Sequence, residues 1–294
     1  MKIITHFLLA ILRILSLCSC GTQAETPVIA ATTAPVNEFT TRLCEGTGLT
    51  VAQLITENVS CLHDYSLNVR QVRTAEAAEL IIINGAGLEA FMEDQLQDRP
   101  IIDSSEGIEL IECNEPHDHD HEHDHGHHHE EDSHIWLSPD NARIMSINIC
   151  NGLTAAYPRY SDIFESNLAN LLSDLDELKA YGAEALSDLS CRSLITFHDG
   201  FGYLAESFDL EILKAVEEES GSEASAAELK DMILLVRNHH IPAIFTEVNG
   251  SSSAASIITR ETGIPSYMLD MAMSDSGWFD AMYRNIDTLK EALE

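Results

Sequence analysis

Histidine is the residue type that gives this chain most of its potential chemistry. Eight of the 14 histidines stand in one tract with no apolar residue: His117, His119, His121, His123, His125, His127, His128 and His129. Neutral imidazole suits Zn, Cu and Ni, and the alternating Asp and Glu add negative potential. A segment of this composition cannot form a core. It predicts a metal-binding loop, the simpler interpretation being a solvated polar loop.

Of the six histidines outside the tract, three are expected at strand ends or in tight loops, namely His63, His134 and His198. His198 directly follows an apolar run, where a strand is expected to end. Each one alone is as consistent with a structural histidine as with a metal ligand, but together they form a candidate set of three imidazoles. The tract offers many equivalent ligand sets and pays ordering entropy whenever it binds metal. We therefore predict that the tract collects metal and that the lone histidines form the specific site.

Apolar runs predict the elements that position these histidines. Residues 28–33 and 79–84 are expected to be buried strands, and a helix is expected to start near Pro35. Gly85 and Gly87 end the second run. Residues 108–111 are predicted as a further strand, which gives an α/β lobe built on a parallel sheet.

Between residues 139 and 189 strand signals vanish and leucines recur at helical spacing, which predicts two helices broken at Tyr157-Pro158. Strands are then predicted at 193–197, 210–213, 243–246 and 266–269, with helices at about 225–238, 252–262 and 277–293. A second α/β lobe follows. Ligands bind beyond the carboxyl ends of open parallel sheets, so two facing lobes predict a cleft there.

The first residues have the pattern of an export signal, with Lys2 before an apolar run that is too short for a stable membrane span. The sequence Leu17-Cys18-Ser19-Cys20-Gly21 is typical of a bacterial lipoprotein cleavage site. We predict that Cys20 is the lipidated first mature residue, the alternative being ordinary cleavage with release. The acyl chains on such a cysteine are sufficient for stable anchoring.

The formal net charge of −33 excludes nucleic-acid binding, because so acidic a surface repels phosphates and concentrates cations. Apart from Cys18 and Cys20, the cysteines are Cys44, Cys61, Cys113, Cys150 and Cys191. An odd set leaves at least one thiol over, and their pairing stays open. No Cys-x-x-Cys spacing exists, which disfavours a thiolate zinc knuckle.

Six short strings occur in an order similar to that of the zinc/manganese substrate-binding proteins of ABC importers. The strings are Leu62-His63-Asp64-Tyr65, Asn84-Gly85-Ala86-Gly87-Leu88-Glu89, Ser133-His134-Ile135-Trp136-Leu137-Ser138-Pro139, Phe197-His198-Asp199-Gly200-Phe201-Gly202-Tyr203, Phe245-Thr246-Glu247 and Leu269-Asp270. Together they extend over nearly the whole chain after the export signal. The resemblance implies two α/β lobes with parallel sheets, joined by a long rigid helix, with one metal in the cleft between them.

By the same resemblance, His63 and His134 are expected as ligands from the N-terminal lobe and His198 as a ligand from the C-terminal lobe. Asp270 stands at the family's fourth, acidic position, the alternative being that it caps a turn. Glu247 resembles a position near the cleft that is not a ligand. Members that resemble manganese carriers have a carboxylate where this chain has His198. Three imidazoles and one carboxylate instead fit tetrahedral Zn²⁺.

The resemblance implies a high-affinity carrier that binds Zn²⁺ outside the cytoplasm and delivers it to an ABC-type permease. The protein is expected to be monomeric, to be anchored to the membrane by lipid and not to be an enzyme. The alternatives are a manganese carrier, a surface zinc buffer or adhesin, and a zinc metallohydrolase, for which no His-Glu-x-x-His helix is predicted. The expected segments are a signal peptide (1–19), a linker (20–27), an N-terminal lobe (28–150) with the histidine-rich loop (115–131), bridging helices (151–189) and a C-terminal lobe (190–294).

Overall fold

A computed structural model describes residues 28–57, 62, 65–112, 131–215, 225–248, 253–274 and 276–294. These residues form two four-stranded parallel sheets with helices packed around them. The α/β class predicted from the apolar runs is therefore confirmed. The predicted domain limits stay predictions.

The first lobe contains the sheet β2-β1-β3-β4, in which all neighbouring strands are parallel. Its elements are β1 (Val28–Ala31), α1 (Ala34–Cys44), β2 (Thr50–Gln53), α2 (Val69–Ala77), β3 (Leu80–Ile83), a 3₁₀ turn (Leu88–Met92), α3 (Glu93–Leu96) and β4 (Ile101–Asp103). The central strand β3 is an unbroken apolar run because helices cover both faces of a parallel sheet.

The prediction of a strand at residues 108–111 is wrong. This segment is irregular, and its polar backbone groups bond outside the sheet: the N–H of Ile111 donates to the Tyr203 hydroxyl at 3.1 Å, and its carbonyl accepts from Asp132 N at 2.8 Å. Its apolar side chains pack against the core, which explains the strand-like pattern. The outer strands of the sheet are β2 and β4, both short and bearing polar residues.

Two helices connect the lobes, as the leucine spacing predicted. They are α4 (Pro139–Ala156) and α5 (Ser161–Ala185), separated by a 3₁₀ turn at Pro158–Tyr160. The Ser138 side chain caps the start of α4 by accepting a hydrogen bond from Asn141 N. The 25-residue helix α5 packs on α4, on α1 of the first lobe and on the last helix of the second lobe, so it extends along both lobes.

The second lobe contains the parallel sheet β6-β5-β7-β8. Its elements are β5 (Ser193–Thr196), α6 (Gly202–Ser207), β6 (Glu211–Ala215), α7 (Ala226–His239), β7 (Ile244–Glu247), α8 (Ser253–Thr262), β8 (Ser266–Leu269) and α9 (Trp278–Leu293). The four strands and three longer helices agree with the predictions to within about two residues at each end. The six-residue helix α6 was missed, because it is too short to show a period.

The two lobes share one continuous apolar core in addition to the α5 connection. This core includes buried side chains from β3 of the first lobe and from β5, β8 and α9 of the second. Phe39 of α1 packs edge-on against Trp278 of α9, with the ring centroids 5.1 Å apart. Among the described helices, none combines the length and the apolar character needed to cross a bilayer.

Candidate metal centre

His134 and His198 meet at the boundary between the two lobes. Both are buried, with 4% and 9% of their surface exposed, and their Nε2 atoms lie 3.3 Å apart. His198 is the second residue after β5, and His134 immediately precedes a 3₁₀ turn at Ile135–Leu137. Two imidazoles that bind one tetrahedral zinc at about 2.0–2.1 Å have their nitrogens roughly 3.3 Å apart. The two rings are therefore spaced like two ligands of a single metal ion.

Asp132 fixes the orientation of His134. Its Oδ1 accepts hydrogen bonds from His134 Nδ1 at 2.7 Å and from the His134 backbone N at 2.8 Å. Because an ionised carboxylate can only accept, Nδ1 carries the proton in neutral His134 and Nε2 presents its lone pair towards His198. Metal-binding histidines commonly have such a carboxylate partner. No role was predicted for Asp132, although an Asp two residues before a His has the spacing of an Asx turn.

A buried carboxyl group, Glu89, supports the His134 segment from the first lobe. Glu89 accepts hydrogen bonds from Thr32 Oγ1 at 2.6 Å, from Asn84 N at 2.7 Å and from Gly85 N at 3.0 Å. Burial raises the pKa of Glu89 to about 7, although these three donors oppose the shift. Asn84 Nδ2 in turn donates to the carbonyl of Ser133 at 3.1 Å. Glu89 thus holds Asn84, and Asn84 in turn bonds to the backbone of Ser133, the residue before His134.

Three aromatic side chains join the same segment to the second lobe. Tyr203 donates from its hydroxyl to Asp132 O at 2.8 Å, and Trp136 donates from Nε1 to Met271 O at 2.7 Å. Trp278 donates from Nε1 to Trp136 O at 2.9 Å. Since Trp136 and Trp278 are almost fully buried, these bonds are shielded from water. The segment that carries His134 is therefore fixed to both lobes.

Gly200 leaves room for the His198 ring. A Cβ added at Gly200 would lie 2.7 Å from His198 Cδ2, 2.9 Å from His198 Nε2 and 2.9 Å from Met271 Cε. These distances are too short for non-bonded atoms, so any larger residue would displace the ring. Met271, in the turn after β8, and the His198 ring therefore border the same space beside Gly200.

Asp270, the predicted fourth ligand, is held by groups other than the two histidines. Its Oδ1 accepts from Ala272 N at 2.8 Å, and its Oδ2 accepts from a guanidinium nitrogen of Arg284 at 3.0 Å. The backbone N–H and carbonyl of Asp270 are both bonded to the Asn285 side chain. Over the residues that the structure describes, no three or more His, Cys, Asp and Glu side chains are grouped to hold a metal. Asp270 is thus seen capping a turn.

A family model described as "ZnuA: Zinc-uptake complex component A periplasmic" matches residues 29–292. The chain belongs to this family. It is 28% identical over 279 residues to the high-affinity zinc uptake system protein ZnuA of Bacillus subtilis (strain 168), covering 90% of this chain and 87% of that protein. A crystal structure of ZnuA superimposes with a TM-score of 0.79 at 26% identity, covering 92% of this chain and 100% of that one.

A second relative differs in length. The zinc-binding lipoprotein AdcA of Streptococcus pneumoniae (strain ATCC BAA-255 / R6) is 29% identical over an alignment of 304 residues, which covers 98% of this chain but 60% of AdcA. The chain therefore spans about three-fifths of that relative. The resemblance inferred from the six strings is confirmed, as are the two lobes and the long connecting helix. The zinc-uptake family is one of solute-binding components of transporters and not a family of enzymes.

Several predicted functional residues lie outside the described part of the chain. They are His63, the eight histidines of the tract and Cys20, and their roles stay predictions. Leu62, next to His63, is described and buried.

The described thiols of Cys44, Cys150 and Cys191 form no disulfide, and burial raises the pKa of Cys44 to about 12, which keeps it protonated. Glu247, expected near the cleft, is the last residue of β7.

Proposed function

We propose that this protein binds Zn²⁺ as cargo between its lobes, through His63, His134, His198 and Asp270, and delivers it to an ABC-type import permease. The observation that carries the proposal is the 3.3 Å separation of the buried Nε2 atoms of His134 and His198. Membership of a zinc-uptake family supports it. Zinc is released unchanged, so the protein acts by binding and not by catalysis.

The ligand chemistry favours zinc over manganese. Imidazole nitrogens suit Zn²⁺, whereas Mn²⁺ prefers carboxylate, carbonyl and water oxygens. His198 supplies a nitrogen on the second lobe, and Asp132 stabilises the metal-binding tautomer of His134. The names of the B. subtilis and S. pneumoniae relatives both refer to zinc.

The proposed location is outside the cytoplasm, with a lipid on Cys20 anchoring a monomeric protein to the membrane. The periplasmic description of the family and the lipoprotein name of AdcA support this proposal. Membrane fractionation tests it. Cys20→Ala is expected to move the protein from the membrane fraction to the soluble one, and retention of the variant on the membrane would contradict anchoring at Cys20.

We further propose that the histidine-rich tract gathers zinc for the cleft without forming part of its tight site. A tethered chelating segment raises the local zinc concentration, which matters most when free zinc is scarce. Deleting residues 117–129 is expected to lower zinc stoichiometry and slow growth under zinc limitation, while one tight zinc per molecule remains. Loss of that tight zinc would mean that the tract belongs to the primary site.

Zinc titration of the tract-deleted protein tests the proposed cleft site. His198→Ala is expected to weaken binding by about 100-fold or more, since it removes a ligand rather than a supporting group. The matched control is His239→Ala at the exposed end of α7, which should leave affinity unchanged. Wild-type affinity in His198→Ala would overturn the assignment. Zinc uptake is then compared between cells that produce the protein and cells that lack it, because import predicts lower uptake without the protein whereas surface buffering does not.

A further inference from the structure

Arg284 forms an ion pair with the carboxylate predicted to be zinc's fourth ligand. A guanidinium nitrogen of Arg284 lies 3.0 Å from Asp270 Oδ2 and donates to Ser276 Oγ at 2.9 Å. The Asp270 side chain is 16% exposed and that of Arg284 is 52% exposed. The pair therefore stands at the protein surface on the Arg284 side and is largely enclosed on the Asp270 side.

Consecutive residues of α9 hold the backbone and the side chain of Asp270 separately. Asn285, which is 1% exposed, accepts from Asp270 N at 2.8 Å and donates to Asp270 O at 2.7 Å. Arg284 bonds to the carboxylate of Asp270 and not to its backbone. The backbone of Asp270 is consequently fixed by a buried side chain, whereas its carboxylate is held by the half-exposed Arg284 and by one backbone N–H, that of Ala272.

The turn that bears Asp270 is joined to both histidine segments through the next residue. Met271 O accepts the hydrogen bond from Trp136 Nε1 at 2.7 Å, and Met271 Cε and the His198 ring both border Gly200. The carboxylate of Asp270 itself is bound by Arg284 and by the N–H of Ala272. Asp270 thus lies one residue from the contacts of the histidine pair, with both of its oxygens already engaged.

We propose that Arg284 competes with zinc for Asp270: it holds the carboxylate in the metal-free protein, yields it when zinc binds, and takes it back when zinc leaves. This proposal rests on the proposed function, because it takes Asp270 as zinc's fourth ligand. Arginine is always charged, so the competition persists at every physiological pH. Arg284 lowers zinc affinity and speeds zinc release by offering Asp270 a replacement cation.

The expected size of the effect is that of a part-exposed ion pair, about two- to fivefold in the zinc dissociation constant. The test uses the full chain, with zinc competed by a chelator that limits occupancy to the first equivalent. Arg284→Met keeps the aliphatic stem without the charge, and it should bind zinc about two- to fivefold more tightly and release it to excess chelator correspondingly more slowly. Arg284→Lys, which keeps a charge, should fall between Arg284→Met and wild type.

The matched control is Arg260→Met on α8. Arg260 is 72% exposed and pairs with Glu261 at 3.6 Å, so its replacement makes the same change in net charge. Zinc affinity in this variant should equal that of wild type. An equal gain in both variants would attribute the effect to overall charge and overturn the specific role of Arg284. Weaker binding by Arg284→Met would also overturn it, since Arg284 would then orient Asp270 towards the metal.

A second background tests whether Arg284 acts through Asp270. Asp270→Asn should weaken zinc binding, and adding Arg284→Met to it should change nothing further. A persisting gain in the double variant, or unchanged affinity in Asp270→Asn, would overturn the proposal while leaving zinc binding by the histidines intact. Failure of the proposed function would instead be recognised by wild-type affinity in His198→Ala. Melting temperatures of all variants identify any that fail to fold.

Discussion

His134 and Asp270, two predicted ligands of one metal, are held in opposite ways. His134 is oriented by the buried Asp132, and its segment is bonded to buried groups of both lobes. The carboxylate of Asp270 is held instead by the half-exposed Arg284. The contrast separates a preorganised histidine pair from a carboxylate whose charged partner is half-exposed. In a carrier that must release its cargo, such a division separates specific recognition from release.

The largest effect is expected on the free energy of unfolding, at Glu89, which supports the His134 segment. Its pKa in the folded protein, raised to about 7 by burial, exceeds the ordinary 4.5, so between these values the folded state binds a proton that the unfolded state has lost. Stability should therefore fall as pH rises through this window, by about 3 kcal/mol in all. Unfolding free energies across pH 4–8 for wild type and Glu89→Gln test this, since the variant should lack that slope. Exposed Glu93→Gln is the control, and an identical slope in Glu89→Gln would contradict the prediction.

Removing the carboxylate behind His134 should give the next largest effect. Asp132→Ala frees the imidazole to rotate and to change tautomer, and zinc affinity should fall by about 10–100-fold. Asp132→Asn keeps an acceptor for Nδ1 and should lose less. Isothermal titration measures both, with Asp140→Ala, which breaks only an exposed pair with Lys179, as the control. Unchanged affinity in Asp132→Ala would show that His134 needs no preorganisation.

A smaller loss is expected from crowding the His198 ring. Gly200→Ala would bring Cβ to 2.7 Å from His198 Cδ2, which forces the ring to move, and zinc affinity should fall by about tenfold. Gly202→Ala gives a graded comparison, because its Cβ would be 3.2 Å from Asp132 Oδ2 and needs only a small shift. Titration should therefore rank Gly200→Ala below Gly202→Ala in affinity, and the reverse order would contradict the packing argument.

The smallest effect is expected on the Asp270 side. Ser276→Ala removes the second partner of Arg284, a hydrogen bond of 2.9 Å between part-exposed groups, and leaves the ion pair with Asp270 in place. Zinc affinity should change by less than about twofold. A loss as large as that of Asp132→Ala would show that the Asp270 side is as rigidly built as the His134 side, and would end the comparison between them.

The sequence predicted best the elements whose pattern is local. The buried run before Gly85 and the helix break at Pro158 follow from side-chain burial and from proline geometry, which act over a few residues. The position of His198 just beyond β5 followed from the same reasoning. Strands β2 and β4 were missed because neither contains an apolar run of four residues. Residues 108–111 were wrongly predicted as a strand because apolar packing outside a sheet has the same pattern.

The groups that support the candidate site could not be predicted, because they meet only in three dimensions. Arg284 and Asp270 are 14 positions apart on a helix and a strand end, and Asn84 and Ser133 are 49 positions apart. No period or motif connects such pairs. The family resemblance supplied candidate ligands by position, but it carried no information on which of them is preorganised.

The two indole rings also give the molecule an optical property. Trp136 and Trp278 are the only tryptophans in the sequence, both are buried, and the Trp136 ring lies 5.2 Å from that of His134. Tryptophan emission of this protein consequently comes from two buried rings, one of which lies against His134. A metal ion bound at His134 is expected to alter that emission, so binding can be followed in real time on unlabelled protein.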